Sequence, residues 1–475
     1  MSDDKQMTYN STDIFSKKIY LGCLILFAAV LFALTFYAGN FSCSQDQTVY
    51  QYIGKVVSEG QVVYRDVFDH KGPVTYFWYA LGSVISTLWG VWLLNFILLI
   101  EILLLTFKLL LRFTKPWIAL GIIVFVFSSL NYIHGIGNTE TLSLLPLTLF
   151  LDIFCAYMQK RTLNKKDGIL LGICLALPLL IKPTHLIIPA TLGLYALFVG
   201  YKRRDINTLK QISLPALLTF TTIMSSVLFY FAYHHALSDF WDSYILFNLS
   251  YAKQQATWQR QLQAVRSFFV QPVFIVPFIG LFIFIFKKPP KILLPVFLTF
   301  IATFLVTIAP GWWEEFFRHY LIIIFPLSCL LLAIEINVIN RKRQFFFLAL
   351  LSILFIYNSS ELFHNHYGKT SASQEHFSII LKQEIPPDTP FLDLTYSQGR
   401  LFLLSDRNSY SKYPFRWGIR KRIAQDLETK GPPLYITLQK DSQSILSYFK
   451  LPPYNVVYED PRSLYILLKR KDDTQ

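Results

Sequence analysis

The stretch Ser44–Tyr79, SQDQTVYQYIGKVVSEGQVVYRDVFDHKGPVTYFWY, is the first long polar segment after the first hydrophobic one, and its reading decides how the chain is organised. Asp46 stands at its start, and Gln47–Gly60 reads as a short amphipathic helix with Val49, Tyr52, Ile53 and Val56 on one face. Such a helix is expected to lie on a bilayer rather than cross it. Tyr64, Arg65, Asp66, Asp69, His70 and Lys71 then fall within eight positions, and Gly72-Pro73 ends any helix there while Pro73 can open the next. A solvated loop whose charges simply face water is the alternative; the placement of the remaining segments decides between them.

Of the 475 residues, 53% are hydrophobic and 17% aromatic, and apolar runs near bilayer-spanning length recur, which makes the chain a polytopic α-helical membrane protein. The net charge of +14 raises the question of nucleic acid. The basic residues, however, come as short clusters between apolar runs, so they act as topology signals and no nucleic-acid partner is expected. Cys23, Cys43, Cys155, Cys174 and Cys329 lie in or beside apolar segments without metal-type spacing, so neither disulfides nor a structural zinc are expected.

The run Ile19–Ala38, behind Lys17-Lys18, reads as a retained signal anchor. Further spans are expected at Val91–Leu111, Trp117–Leu130, Leu142–Met158, Gly168–Ile181, Leu186–Gly200, Leu214–Tyr233, Phe268–Phe286, Ile292–Ala309, Leu321–Ile336 and Phe345–Tyr357, about eleven in all. Every second connection carries Lys and Arg: Arg112 and Lys115; Lys160, Arg161, Lys165 and Lys166; Lys202, Arg203, Arg204 and Lys210; Lys287, Lys288 and Lys291; Arg341, Lys342 and Arg343. These mark the cytoplasmic face, provided that Pro73–Gly90 is surface-lying or re-entrant. The N-terminus is then cytoplasmic and the C-terminus outside. Residues 1–358 form the membrane domain, with its first outer loop at 41–90, and residues 359–475 a small extracytoplasmic α/β domain. Strands are expected there at Phe391–Tyr396, Leu434–Leu438, Asn455–Tyr458 and Leu464–Leu467, and helices at Phe415–Thr429 and Ser442–Phe449.

On this topology the outer ends of the spans collect Asp46, Arg65, Asp66, Asp69, Lys71, His134, Asn138, Glu140, Lys182, His185, Trp312, Glu314, Arg318, His319 and Tyr320. Each has a plainer reading as well. Lys182 can snorkel to headgroups, Asn138-Thr139-Glu140 can cap a helix, and Trp312, Trp313, Phe316 and Phe317 can form an interfacial belt. Arg318 beside His319 suits a phosphate clamp. Within the spans Glu101, Lys108 and Asp152 are the notable charges, and none makes a polar path through the bilayer.

These residues resemble the bacterial relatives of the dolichyl-phosphate-mannose protein mannosyltransferases and the lipid A aminoarabinose transferases, membrane glycosyltransferases of the C-type fold. The resemblance rests on Asp46 with Tyr50, Tyr64-Arg65-Asp66, Asp69-His70-Lys71-Gly72-Pro73 with Tyr76, Gly137-Asn138-Thr139-Glu140 with Leu145-Pro146, Gly172, Lys182-Pro183, and Arg318-His319-Tyr320 with Pro326. In the tail it continues through Gly399-Arg400 and Ser411-Lys412-Tyr413-Pro414-Phe415.

The resemblance implies a polyprenyl-phosphate-linked sugar as donor and a glycan, lipid or protein as acceptor. It makes Asp46 the base for the acceptor hydroxyl and Lys71 the cation facing the departing phosphate. Arg318, His319, Arg65 and Lys182 are further candidates for the phosphate; Asp66, Asp69, Tyr50, His134, Asn138 and Glu140 are candidates for the rest of the substrates. Many members carry a second acid directly after the first, where this chain has Gln47, so a divalent metal held by such a pair is not supported and no cofactor is expected.

The chemistry has the same needs without the family: a base for the incoming hydroxyl, and fixed positive charge where the leaving phosphate gains its negative charge. No glycine-rich nucleotide loop is present. The rival classes are a lipid or polysaccharide transporter, for which repeated halves and a polar path are missing, and a surface-glycan polymerase or ligase, which sequence separates poorly.

Overall fold

The computed structural model describes residues 12–39, 45–87, 89–132, 136–251, 271–281, 290–308, 318–340, 344–347, 349–353, 368–395, 397–415, 419–442, 444–459 and 464–471, with a few isolated residues between them. The chain begins with helices α1 (Thr12–Gly39), α2 (Gln45–Ser58), α3 (Pro73–Ile85), α4 (Trp89–Leu110), α5 (Pro116–Tyr132), α6 (Thr139–Met158) and α7 (Lys165–Ile181). A 3-10 turn, Pro183–Leu186, leads into α8 (Ile187–Arg203) and α9 (Ile206–Tyr233). Among the described residues, five helices are long and apolar enough to cross a membrane: Trp89–Leu110, Thr139–Met158, Pro183–Arg203, Ile206–Tyr233 and His319–Val338. Shorter apolar helices lie at Lys18–Ala33, Pro116–Ser129, Leu293–Thr307 and Gln344–Ile353. The chain is thus a multi-pass helical membrane protein.

Burial sorts these helices. The one ending at Val338 is enclosed almost entirely by its neighbours, whereas α9 turns Leu214, Leu217, Leu218, Phe229 and Tyr233 outward. Prolines lie inside α6 (Pro146), α7 (Pro178) and α9 (Pro215), as apolar membrane helices tolerate. At the start of α7, Asn164 accepts from the backbone of Lys166 and Asp167 while Asp167 reaches back to the Asn164 N–H, a reciprocal cap that fixes where the helix begins.

Gly368–Glu384 is a helix, and after it the chain forms a four-stranded mixed sheet in the order β1-β2-β4-β3. Its strands are β1 (Phe391–Asp393), β2 (Tyr435–Gln439), β3 (Tyr454–Glu459) and β4 (Tyr465–Arg470). β1 pairs parallel with β2, and β4 runs antiparallel to both β2 and β3. All four lie where the alternating apolar runs predict strands, while the helix expected from Phe415 begins later, at Arg420.

One expectation for α2 is corrected. Its face of Val49, Tyr52, Ile53 and Val56 is buried as the pattern requires, but against protein instead of lipid. Tyr52 packs on Phe402, its hydroxyl accepts the Ser409 N–H at 2.7 Å, Thr48 donates to the Gln398 carbonyl at 3.0 Å, and Lys55 pairs with Asp406 at 2.8 Å. The first loop and the C-terminal sheet share one hydrophobic core.

Within the bundle, Asp152 accepts from Arg112 at 2.5 Å and Lys108 at 3.0 Å, and Glu101 lies on an exposed helix face. Sequence reasoning passed over Glu335. Its carboxylate is fully buried against Gly280, and among the described residues neither oxygen has a hydrogen-bond partner.

Candidate active site

The loop after α2 is held at almost every residue. Tyr64 adopts a left-handed backbone (φ 73°), which a bulky side chain rarely tolerates, and its buried hydroxyl donates to the Lys71 carbonyl at 2.6 Å. The Phe68 N–H donates to the Lys412 carbonyl at 2.8 Å, Asn248 donates to the His70 carbonyl at 2.6 Å, and the Lys71 N–H donates to the Tyr76 hydroxyl at 3.0 Å. The Gly72 N–H donates to the Ile181 carbonyl at 2.9 Å, and a Cβ at Gly72 would collide with the backbone carbonyl of Leu180. Glycine is required there by this close approach. The contact joins the Lys71 loop to the end of α7, one residue before Lys182.

α6 supplies the second group. Glu140 lies in the first turn of α6, where the helix dipole favours a carboxylate, and its side chain is 1% exposed. It accepts from Lys182 Nζ at 2.7 Å and from the Thr139 hydroxyl at 3.0 Å. The Lys182 ammonium stands 3.7 Å from the centre of the Tyr320 ring, a cation–π contact. His185 Nδ1 is 2.6 Å from the Ser143 hydroxyl, and its Nε2 is 3.9 Å from Glu140. Lys182 therefore does not snorkel. Asn138 occupies the N-cap position of α6 but makes no side-chain cap, so the capping reading of that residue does not hold.

Asp46, in the first turn of α2, has a side chain 40% exposed and lies 3.8 Å from His319 Nε2. Asp69, by contrast, is 4% exposed; its Oδ1 accepts the His70 N–H at 2.7 Å and lies 3.0 Å from His70 Nδ1. Burial alone would raise the Asp69 carboxyl, but the His70 ring and the Lys71 ammonium outweigh it and hold the group below the usual carboxylate range. Tyr50, one turn after Asp46, has its phenol pushed well above the usual range by burial and then by the charges of Asp46, Asp69 and Glu140.

Asp46, Tyr50, Asp69, Lys71, Glu140, Lys182 and His319 thus come together, joined by His70 and His185, which the sequence placed nearby without a role, and by Ser143, which it passed over. Arg65 and Asp66 do not join them. Arg65 makes a two-pronged contact with Asp66 at 2.8 Å and donates to the His234 carbonyl at 2.7 Å, and Asp66 also accepts the Val62 N–H at 2.7 Å. The pair latches the loop to the end of α9. The side chain of Arg318 lies outside the described residues, as do His134, Trp312, Trp313, Glu314, Phe316, Phe317 and Cys43.

The fold is similar to that of ArnT and of an archaeal oligosaccharyltransferase. The structure of ArnT from Cupriavidus metallidurans bound to undecaprenyl phosphate matches with a TM-score of 0.67 at 12% identity, covering 94% of this chain and 98% of that one. Its apo state matches with a TM-score of 0.65 at 13% identity, over 94% and 97%. The oligosaccharyltransferase of Archaeoglobus fulgidus in its apo form matches with a TM-score of 0.52 at 11% identity, over 92% of this chain and 71% of that one. By sequence the chain belongs to the family described as "Putative competence-induced protein Ccs4 N-terminal domain", which matches residues 6–361. No curated protein sequence matches the chain.

Proposed function

We propose that this protein is a membrane glycosyltransferase that moves a sugar from a polyprenyl-phosphate carrier to an acceptor hydroxyl on the outer face of the cytoplasmic membrane. The observation that carries this reading is the state of Lys71. Among the described residues no carboxylate lies within ion-pair distance of its ammonium, which meets only His70 Nε2 at 2.8 Å. Lys182, in contrast, is already neutralised by Glu140. An ammonium held this way at the mouth of a helical bundle suits an incoming phosphate. The fold shared with ArnT, which was crystallised with undecaprenyl phosphate, supports the same donor class.

In this reading Asp46 takes the proton of the acceptor hydroxyl, because it is the exposed carboxylate while Asp69 and Glu140 are buried and already bonded. The acceptor oxygen attacks the anomeric carbon. The bond from that carbon to the phosphate oxygen breaks, and its electron pair leaves with the polyprenyl phosphate, whose added charge Lys71 meets and the Lys182–Glu140 pair borders. Arg318 and His319 complete the phosphate side, and Tyr50, Asn138 and Glu140 line the sugar.

The topology that goes with this function has about eleven crossings, with the N-terminus cytoplasmic: the five long and four shorter apolar helices make nine, and α7 and the span expected at Phe268–Phe286 bring the number to eleven. The membrane domain ends near residue 358, and the domain of residues 359–475 lies outside and covers the site. Reporter fusions at Lys165 and Asp388 are expected on opposite sides of the membrane. The functional test is the purified protein in lipid, supplied with undecaprenyl-phosphate-linked sugars and envelope acceptors. Release of free carrier that depends on Lys71 and Asp46 is expected; intact donor together with no binding of undecaprenyl phosphate overturns the reading.

A further inference from the structure

We propose that His70 is a positioning residue that insulates the Lys71 ammonium from the Asp69 carboxylate, leaving the lysine charged and aimed for a phosphate. The proposal deepens the transferase reading and rests on it for the identity of the anion. It begins from a problem in the sequence. Asp69 and Lys71 are two residues apart in a buried loop, and a lysine that long would ordinarily fold back onto so near a carboxylate and be neutralised by it.

The imidazole stands between them. Asp69 Oδ1 lies 3.0 Å from Nδ1, and Lys71 Nζ lies 2.8 Å from Nε2. A carboxylate only accepts and an ammonium only donates, so the two contacts can be good together in one protonation state: Nδ1 carries the hydrogen, Nε2 accepts, and the ring is neutral. A protonated ring would point a second N–H at the ammonium. Burial and then the Lys71 charge hold the His70 ring below its ordinary range, in agreement with that tautomer. The ring passes hydrogen-bond direction along the row but not charge. Its own position is fixed by the Phe247 ring at 5.3 Å, by Asn248 on its carbonyl, and by the Tyr64 and Tyr76 hydroxyls on either side of the Lys71 backbone. The charged groups that act on it are Asp69, Lys71 and, from α2, Asp46.

The test measures binding of undecaprenyl phosphate to the full-length protein in lipid nanodiscs. His70→Gln keeps an acceptor near Nε2 and is expected to bind within about threefold of wild type, whereas His70→Asn reaches only the Asp69 side and should lose about tenfold or more. The deciding variant is Asp69→Asn combined with His70→Asn. With the Asp69 carboxylate no longer there to neutralise Lys71, affinity should return to within about threefold of wild type, which a purely structural role for His70 would not produce. Acidification below about pH 6.5 should weaken wild-type binding more than that of the double variant, the titration of the phosphate being common to both. If His70→Asn binds like wild type, or the double variant is weaker than the single one, the insulator role is wrong. If wild type binds no carrier, or Lys71→Ala binds as well as wild type, it is the donor assignment that fails.

Discussion

Two charged clusters sit on α6, one at Glu140 in its first turn and one at Asp152, about 18 Å further along the helix. At Asp152 each cation reaches the carboxylate directly: Arg112 at 2.5 Å and Lys108 at 3.0 Å meet on one acid, so both cations are engaged by it. Around Glu140 the carboxylates Asp46, Asp69 and Glu140 are interleaved with Lys71, Lys182 and the imidazoles of His70, His185 and His319. The first arrangement is a fastening. The second pairs Lys182 directly with Glu140, while among the described residues Lys71 meets the His70 ring and no carboxylate.

Asp46→Asn should break the comparison most severely. If Asp46 is the base, the variant keeps its helix start and its affinity for carrier, and transfer falls by about 10²–10⁴. Near wild-type transfer would reassign Asp46 to the stability of the first turn of α2, where a carboxylate complements the helix dipole. Next is Lys71→Ala, expected to lower carrier affinity and transfer together by about tenfold to a hundredfold, against Asp152→Asn, which should leave transfer per folded molecule unchanged and reduce stability by about 1–3 kcal/mol. Equal effects of the two on carrier affinity would erase the distinction between fastening and site.

Gly72→Ala changes no charge. Because its Cβ meets the Leu180 carbonyl, Lys71 must shift relative to Lys182, and a loss of about tenfold in carrier affinity is expected from titrations of folded protein. The smallest effect belongs to Arg65→Ala. Arg65 is an exposed partner of Asp66, so removing it should change thermal stability by no more than about 1 kcal/mol and leave carrier binding intact. A large loss of binding would return Arg65 to the phosphate site.

Much of this was legible in the chain. Periodicity placed α2 and its buried face, and alternation placed the strands, because both are local patterns that a few neighbouring residues write. The candidate site residues came from motifs, and the structure places Asp46 and Glu140 in the first turns of α2 and α6. What could not be read was pairing across the chain. Lys182 and Glu140 are 42 positions apart, Tyr52 and Ser409 are 357 apart, and no local pattern states either contact. Arg65 and Asp66 look as chemical as Asp69 and Lys71 in the sequence, and only tertiary contacts show that they satisfy each other. Glu335 escaped notice because a single acid in an apolar run gives no sign of which way it faces.

The core that α2 shares with the C-terminal sheet also sets a clock on biosynthesis. The Tyr52 hydroxyl must wait for Ser409, 357 residues later, which at ribosomal speeds of about 5–20 residues per second is roughly 20–70 s. Throughout that interval Val49, Ile53 and Val56 have no sheet to cover them, and the loop bearing Lys71 lacks its Phe68–Lys412 tie. Until that segment is made, the half-made protein therefore presents an amphipathic helix whose apolar face its sheet does not yet cover.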